Sequence, residues 1–389
     1  QAVYGNTTGT ENIGVGHNTL LANTTGNYNV AVGGFALDAN TTASNNTAVG
    51  YNSLGANTTG TQNTAVGATT LDANTTGENN TALGWSALTA STTGSGNTAV
   101  GSVSLFVNTT GASNVAVGQE ALRYNTTASN NTAVGYQALV ANTTGANNVA
   151  IGKDALDSNT TGANNVAIGV DALQSNTTAD SNTAVGHSAL GANTTAGGNV
   201  AVGYLAMQDS TTAANATAVG YEALANNTTS NGNHAFGFRA LKACTTGSGN
   251  TAVGGSAGTA ITTGTANTVV GASALTANTT GANNVAVGDS SGAAVTTGSH
   301  NTCIGQDSGN GGVAITTGTG NSLLGTFSHT SAAGDNYANG IGYDINAEGG
   351  YTTVGKGTDD IRAAHGNVTW ATVSDQRYKK DIVDSTAGL

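Results

Sequence analysis

NTTGANNVAIGVDALQS, residues Asn159 to Ser175, is one statement of a unit that the chain repeats on both sides of it. Aligned on the Thr-Thr pair, units start at positions 6, 23, 40, 57 and onward to 295, eighteen starts spaced by seventeen residues. A nineteenth starts at 315, after a three-residue insertion within QDSGNGGVAI. Numbering the places as slots 1 to 17 gives the consensus N-T-T-G-x-x-N-(T/V)-A-V-G-x-x-A-L-x-x. The threonines of slots 2 and 3 recur in all nineteen units, as does the slot-11 glycine (Gly16, Gly33, Gly50 through Gly305 and Gly325). A period this short and strict predicts a solenoid, one coil per repeat stacked on the next.

Composition points the same way. The 389 residues include 58 Gly, no Pro and only 8% charged side chains, too little for several conventional cores. Disorder is excluded by an apolar residue that returns at fixed phase: slot 10 is Val, Ile, Leu or Phe in every unit, and slot 15 is Leu in most. A net charge of −12, with the first basic residue at Arg123, argues against a nucleic-acid partner. No apolar run is long enough to insert in a membrane. The chain begins at Gln1 without Met or a signal pattern, consistent with processing or a fragment. Cys244 and Cys303 fall at different phases more than three coils apart, beyond disulfide reach.

Within one unit, Asn165-Val166-Ala167-Ile168-Gly169 alternates like a short strand. The β-branched residues of slots 8 and 10 are expected inside the coil, with the slot-9 alanine outward, where another chain could approach. The slot-11 glycine turns the chain, through a positive φ or in a site too crowded for a Cβ. Slots 14 and 15 begin a second strand, which runs to a turn at slot 4, making two strands and two turns per coil. Helix is excluded by the glycine and threonine content and by the lack of a 3.6-residue stripe. One coil buries about two large apolar side chains at about 1.5 to 3 kcal/mol each. Ordering its backbone costs about 1 to 2 kcal/mol per residue. A parallel homo-oligomer is therefore expected, wound about one axis into a rod.

NNVAIG at Asn147–Gly152 and Asn164–Gly169, with NVAVG starting at Asn29 and Asn114, resembles the NSVAIG core of the head repeats of trimeric autotransporter adhesins. The resemblance covers residues 6–325 and implies an all-β, left-handed parallel β-roll solenoid in a homotrimeric fibre. The period here is longer than that family's. After Gly325 the rhythm breaks, and residues 326–373, including GYDINAEGGYTTVGKGTDDIRAAHGNVTWATV, read as a smaller β-rich terminal module. SDQRYKKDI, Ser374 to Ile382, resembles the opening of the intramolecular chaperone domain at the end of phage tail fibres and endosialidases. That resemblance implies trimerisation followed by self-cleavage before Ser374, with Ser374 as nucleophile and Lys379 as its activating base. The sixteen residues 374–389 are only the beginning of such a domain. The plainer reading is a charged terminal tail. The division is then a shaft at 1–325, a module at 326–373 and the start of the chaperone domain at 374–389.

Three features of the shaft are candidates for binding or modification. Slot 12 is aromatic at Tyr51, Trp85, Tyr136, Tyr204, Tyr221 and Phe238, with His17 and His187 at the same phase. Stacked in register, these rings would offer an edge to sugars, or else cover a turn or a neighbouring chain. Slot 1 makes an NTT sequon in thirteen units, for example Asn23, Asn57 and Asn159. The same slot holds Cys244, Ile261, Val295 and Ile315, and the preceding Leu is replaced by Gly258 and Gly292, which reads as a buried slot refilled and favours an internal asparagine ladder. The sequons at Asn45, Asn79, Asn130 and Asn367 lie at other phases and would be more accessible. Outward slot-2 threonines (Thr24, Thr41, Thr58) form a third array, but a single column suits ice binding poorly.

No metal or cofactor motif is present: the six histidines are scattered, and no phosphate-cradling glycine run occurs. The expected function is the shaft of a viral or phage tail fibre, extracellular or on the virion, attaching to a cell-surface glycan or receptor. The alternative is a bacterial adhesin or surface filament of the same repeat, glycosylated at its sequons. No enzymatic turnover is expected beyond one self-cleavage.

Overall fold

The computed structural model describes residues 2–366 and 371–372, in two compact units, 1–221 and 222–389. Both are β-structures without helix among the described residues. Each repeat contributes one three-residue strand, from β1 (Ile13–Val15) to β13 (Thr217–Val219) in the first unit and from β14 (His234–Phe236) to β19 (Ser322–Leu324) in the second. Within each unit successive strands pair parallel and in register, with slots facing their own kind: Val166 of β10 (Val166–Ile168) lies between Val149 and Thr183, and Ala167 between Ala150 and Ala184. The fold is an all-β parallel solenoid with coils of about seventeen residues.

The inward face of the strand is the reverse of the expectation. Ala167 and its equivalents are fully buried, whereas slots 8 and 10 face outward; Val166 is half-buried and Ile168 exposed. The reason is the width of the coil. The slot-14 and slot-15 side chains, such as Ala172 and Leu173, fill the interior from the opposite wall, which leaves a strand residue room for about one methyl group. The volumes trade: a Cβ on Gly309 at slot 15 would sit 2.6 Å from Cys303 Sγ, at the slot where most units carry alanine.

A second strand per coil is also absent through the repeats. Slots 1 to 7 run with a three-residue burial rhythm, so that Asn159, Gly162 and Asn165 point in and Thr161 and Asn164 point out. The return path from slot 12 to slot 17 is a series of turns, with slots 13 and 15 in the left-handed region (Asp171 φ 56°, Leu173 φ 51°). Backbone hydrogen bonds still join neighbouring coils all round this circumference. Leu37 N–H donates to Ser53 O (3.1 Å), Thr41 to Thr58 O (3.2 Å), Asn45 to Asn27 O (3.0 Å) and Asn52 to Gly34 O (2.9 Å). The backbone groups of the turns are thereby paired.

Two internal asparagine columns complete the core. In slot 1, Asn40 Nδ2 donates to Asn23 Oδ1 one coil away (2.8 Å) and to Ala43 O (3.1 Å). In slot 7, Asn46 N–H donates to Asn29 Oδ1 (3.0 Å), and Asn46 Nδ2 to Gly60 O (2.9 Å). At slot 2 the Thr41 hydroxyl donates to Thr58 O (3.1 Å), so slot 3, not slot 2, presents the free outward threonine. Gly169 has φ +137°, and a Cβ there would stand 2.5 Å from Gly186 O, so both reasons proposed for glycine hold at once.

The parallel stacking continues past Gly325. β21 (Asn339–Tyr343) pairs with β19, and β23 (Tyr351–Lys356) pairs with β21. A short parallel pair, β20 (His329–Thr330) and β22 (Asn346–Ala347), lies beside them. β24 (Asp359–Ala364) then folds back antiparallel on β23, and β25 (Ala371–Thr372) on β24.

Candidate functional site

The left-handed glycine of slot 11 throws slot 12 to the outside, and all six predicted ring positions are exposed there. Their environments differ. Tyr204 and Tyr221 stack on each other, centroids 5.2 Å apart and planes within 12° of parallel, and His187 stacks below Tyr204 at 5.4 Å. Their mutual contact occupies ring faces that a sugar would need. Phe238 carries the Arg239 guanidinium 4.9 Å from its ring. Arg239 and Lys242 both bind Glu222, at 2.7 and 2.6 Å, and this pair, Lys242 first, holds the Glu222 carboxyl below the usual range.

Tyr51 and Trp85 have the most exposed rings of the six, at 59% and 61%. Small residues separate them from other slot-12 side chains: Gly34 precedes Tyr51, Ala68 lies between Tyr51 and Trp85, and Ser102 follows. Phe35 meets Tyr51 edge-on at 5.9 Å, on the Gly34 side. Tyr136 stands between Gln119 and Lys153.

The asparagine candidates divide cleanly. Asn23, Asn57 and Asn159 have no exposed surface and are bonded into the slot-1 ladder, out of reach of any glycan-transferring enzyme in the folded chain. Asn45, Asn79 and Asn130 are exposed at slot 6 with φ of 61°, 58° and 62°, a conformation asparagine tolerates well. Two exposed sequons escaped the sequence reading, Asn215-Ala216-Thr217 and Asn226-Asn227-Thr228, although both were legible as N-x-T. Asn367, Ser374 and Lys379 lie outside the described residues.

No family model, curated protein or solved structure matches this chain.

The remaining chemistry is sparse. No group of three or more His, Cys, Asp or Glu side chains that could hold a metal occurs among the described residues. Cys244 and Cys303 are free and buried, and burial pushes their thiols up to about 11 and about 12, so neither is a nucleophile at neutral pH. A shallow groove of about 220 Å³ is lined by Asp171, Gln174, Ser188, Gln208 and Asp209. Asp359 is exposed and Asp360 buried on the terminal hairpin, so the two do not act as a paired carboxylate site.

Proposed function

We propose that the chain is the shaft of a self-associating extracellular fibre, a tail fibre of the phage type, which carries attachment to a cell-surface glycan or receptor. The observation behind it is the outward face of the parallel sheet. Slot 10 is apolar in every repeat, yet Val15, Leu83, Ile151 and Ile168 are 58%, 47%, 38% and 37% exposed. Outward slots 12 and 13 drift freely between residue types while slot 10 keeps its apolar character, as a surface does when a partner covers it. Another copy of the chain has the same coil spacing and meets it coil for coil. The resemblance to autotransporter heads supplies the number of copies, three, and a left-handed winding. The SDQRYKKDI motif supplies the preference for a tail fibre over a bacterial adhesin.

Sedimentation equilibrium tests the assembly, and a cell-adherence assay tests the role. Three chains per particle are expected, reduced to one by the double substitution Ile151→Lys and Ile168→Lys. In a monomer the same exposed changes would alter stability by only about 0.5 kcal/mol either way. A wild-type particle of one chain would remove the proposal, since the apolar column would then face solvent throughout.

A further inference from the structure

We infer that Tyr51, Ala68 and Trp85 form a notch that takes one pyranose ring of a surface glycan; this rests on the attachment reading above and locates its contact. The molecule supplies its own ruler. At His187, Tyr204 and Tyr221, three successive coils each carry a ring, and the rings stack at 5.4 and 5.2 Å. Tyr51, Ala68 and Trp85 are likewise three successive rungs, joined by Thr69 N–H to Tyr51 O (2.8 Å) and Ser86 N–H to Ala68 O (3.1 Å). The outer two carry rings and the middle one carries a methyl group. Two coil rises separate the outer rungs, about 9 to 10 Å at the usual parallel-strand spacing. The empty rung thus has the width that one inserted ring fills.

The occupant is a sugar by the chemistry of the walls. Tyr and Trp faces are electron-rich and attract the C–H face of a pyranose. Slot 13 of the same three coils carries Asn52, Thr69 and Ser86. Thr69 Oγ1 and Ser86 Oγ share a hydrogen bond (2.8 Å), and Asn52 Nδ2 donates to Asp72 Oδ2 (3.3 Å). Ser86 is buried and Thr69 Oγ1 also donates to Ala68 O (2.8 Å), so the Thr69 oxygen and the Asp72 carboxylate remain as acceptors for ring hydroxyls. The gap is not left open elsewhere in the column: between His17 and Tyr51 it is filled by Phe35, at 5.3 and 5.9 Å, and Tyr204 has a ring on both sides.

The test uses the whole chain with Trp370→Phe, which leaves Trp85 as the sole indole. Methyl pyranosides of glucose, galactose, mannose and N-acetylglucosamine are titrated while Trp85 emission is followed. Saturable change with at least one sugar is expected, weakened by about tenfold or more in Trp85→Ala or Ala68→Tyr. Ala68→Tyr fills the empty rung with a ring that slot 12 already accepts in four other coils, so it keeps the fold. No response to any of the sugars, or binding unchanged in Ala68→Tyr, overturns the notch. Emission that depends on protein concentration in place of sugar also overturns it, by giving the gap to a ring of a second copy. Adherence of Trp85→Ala to cells at wild-type level would show attachment to lie elsewhere and leave the fibre reading standing.

Discussion

Asn74 Oδ1 has no hydrogen-bond partner although it is buried, and neither has Ser91 Oγ in the next coil. The slot-1 ladder breaks there because serine is too short to reach the amide above or below it. On the far side Asn108 Nδ2 bonds only Gly111 O (2.9 Å). Ser91→Asn restores an amide at the gap, with Asn74 as acceptor and Asn108 as donor. It is expected to raise unfolding free energy by about 1 to 2 kcal/mol, read as a higher urea midpoint at unchanged slope; an unchanged or lower midpoint would count against the ladder. Gly169→Ala should act oppositely and cost about 2 kcal/mol or more, since φ +137° and the Gly186 carbonyl both reject a Cβ. Both features were legible in the sequence. The glycine was visible through its invariance, and the buried amide through the coupled change of slots 15 and 1, where a Cβ on Gly258 would stand 2.9 Å from Ile261 Cδ1.

At the scale of the coil, the sequence was half legible. The phase of the strand was correct, and its inward face was not, because three residues alternate equally well in either sense. Drift carried the missing signal: slot 8 moves among Thr, Val, Ile, Ser and His, as outward residues do, while slot 9 stays almost entirely Ala. The return path was hidden for another reason. A rhythm of three, with Asn159, Gly162 and Asn165 inside, matches neither the strand period of two nor the helical 3.6. Since the coils around Asn159 present the same donors and acceptors to one another, one of them should be removable. Deletion of Asn159–Ser175 brings Asn176 onto Asn142 and Val149-Ala150-Ile151 onto Thr183-Ala184-Val185, identical partners in kind. Circular dichroism should be unchanged and stability within about 1 kcal/mol of the parent. Deletion of only Asn159–Val166 should abolish the folded spectrum, and survival of that variant would contradict register-locked stacking.

For the molecule as a whole, charge sets the response to acid. The net charge is −12. Asp38, Asp72, Asp157 and Asp360 have their carboxyls raised above the ordinary value, chiefly by burial. A raised carboxyl takes up protons more readily when folded than when unfolded, so stability grows as pH falls toward the unfolded value. Glu222, lowered by Lys242 and Arg239, acts in the other direction. Four raised acids and the general negative repulsion outweigh the lowered Glu222. The melting temperature is therefore expected to be higher at pH 5 than at pH 7.5 in dilute protein, and a fall over that interval would refute the balance. The aromatic notch was only partly legible, since the sequence showed a column of rings, whereas its gap gained meaning from the stacked trio that measures it.

The interchangeability of the coils also bears on inheritance. A gene that spells the same phrase again and again invites the copying machinery to slip by a whole phrase, and here each such slip yields another folded protein, longer or shorter by one rung. Lineages carrying it would differ in their number of coils before they differ in anything else.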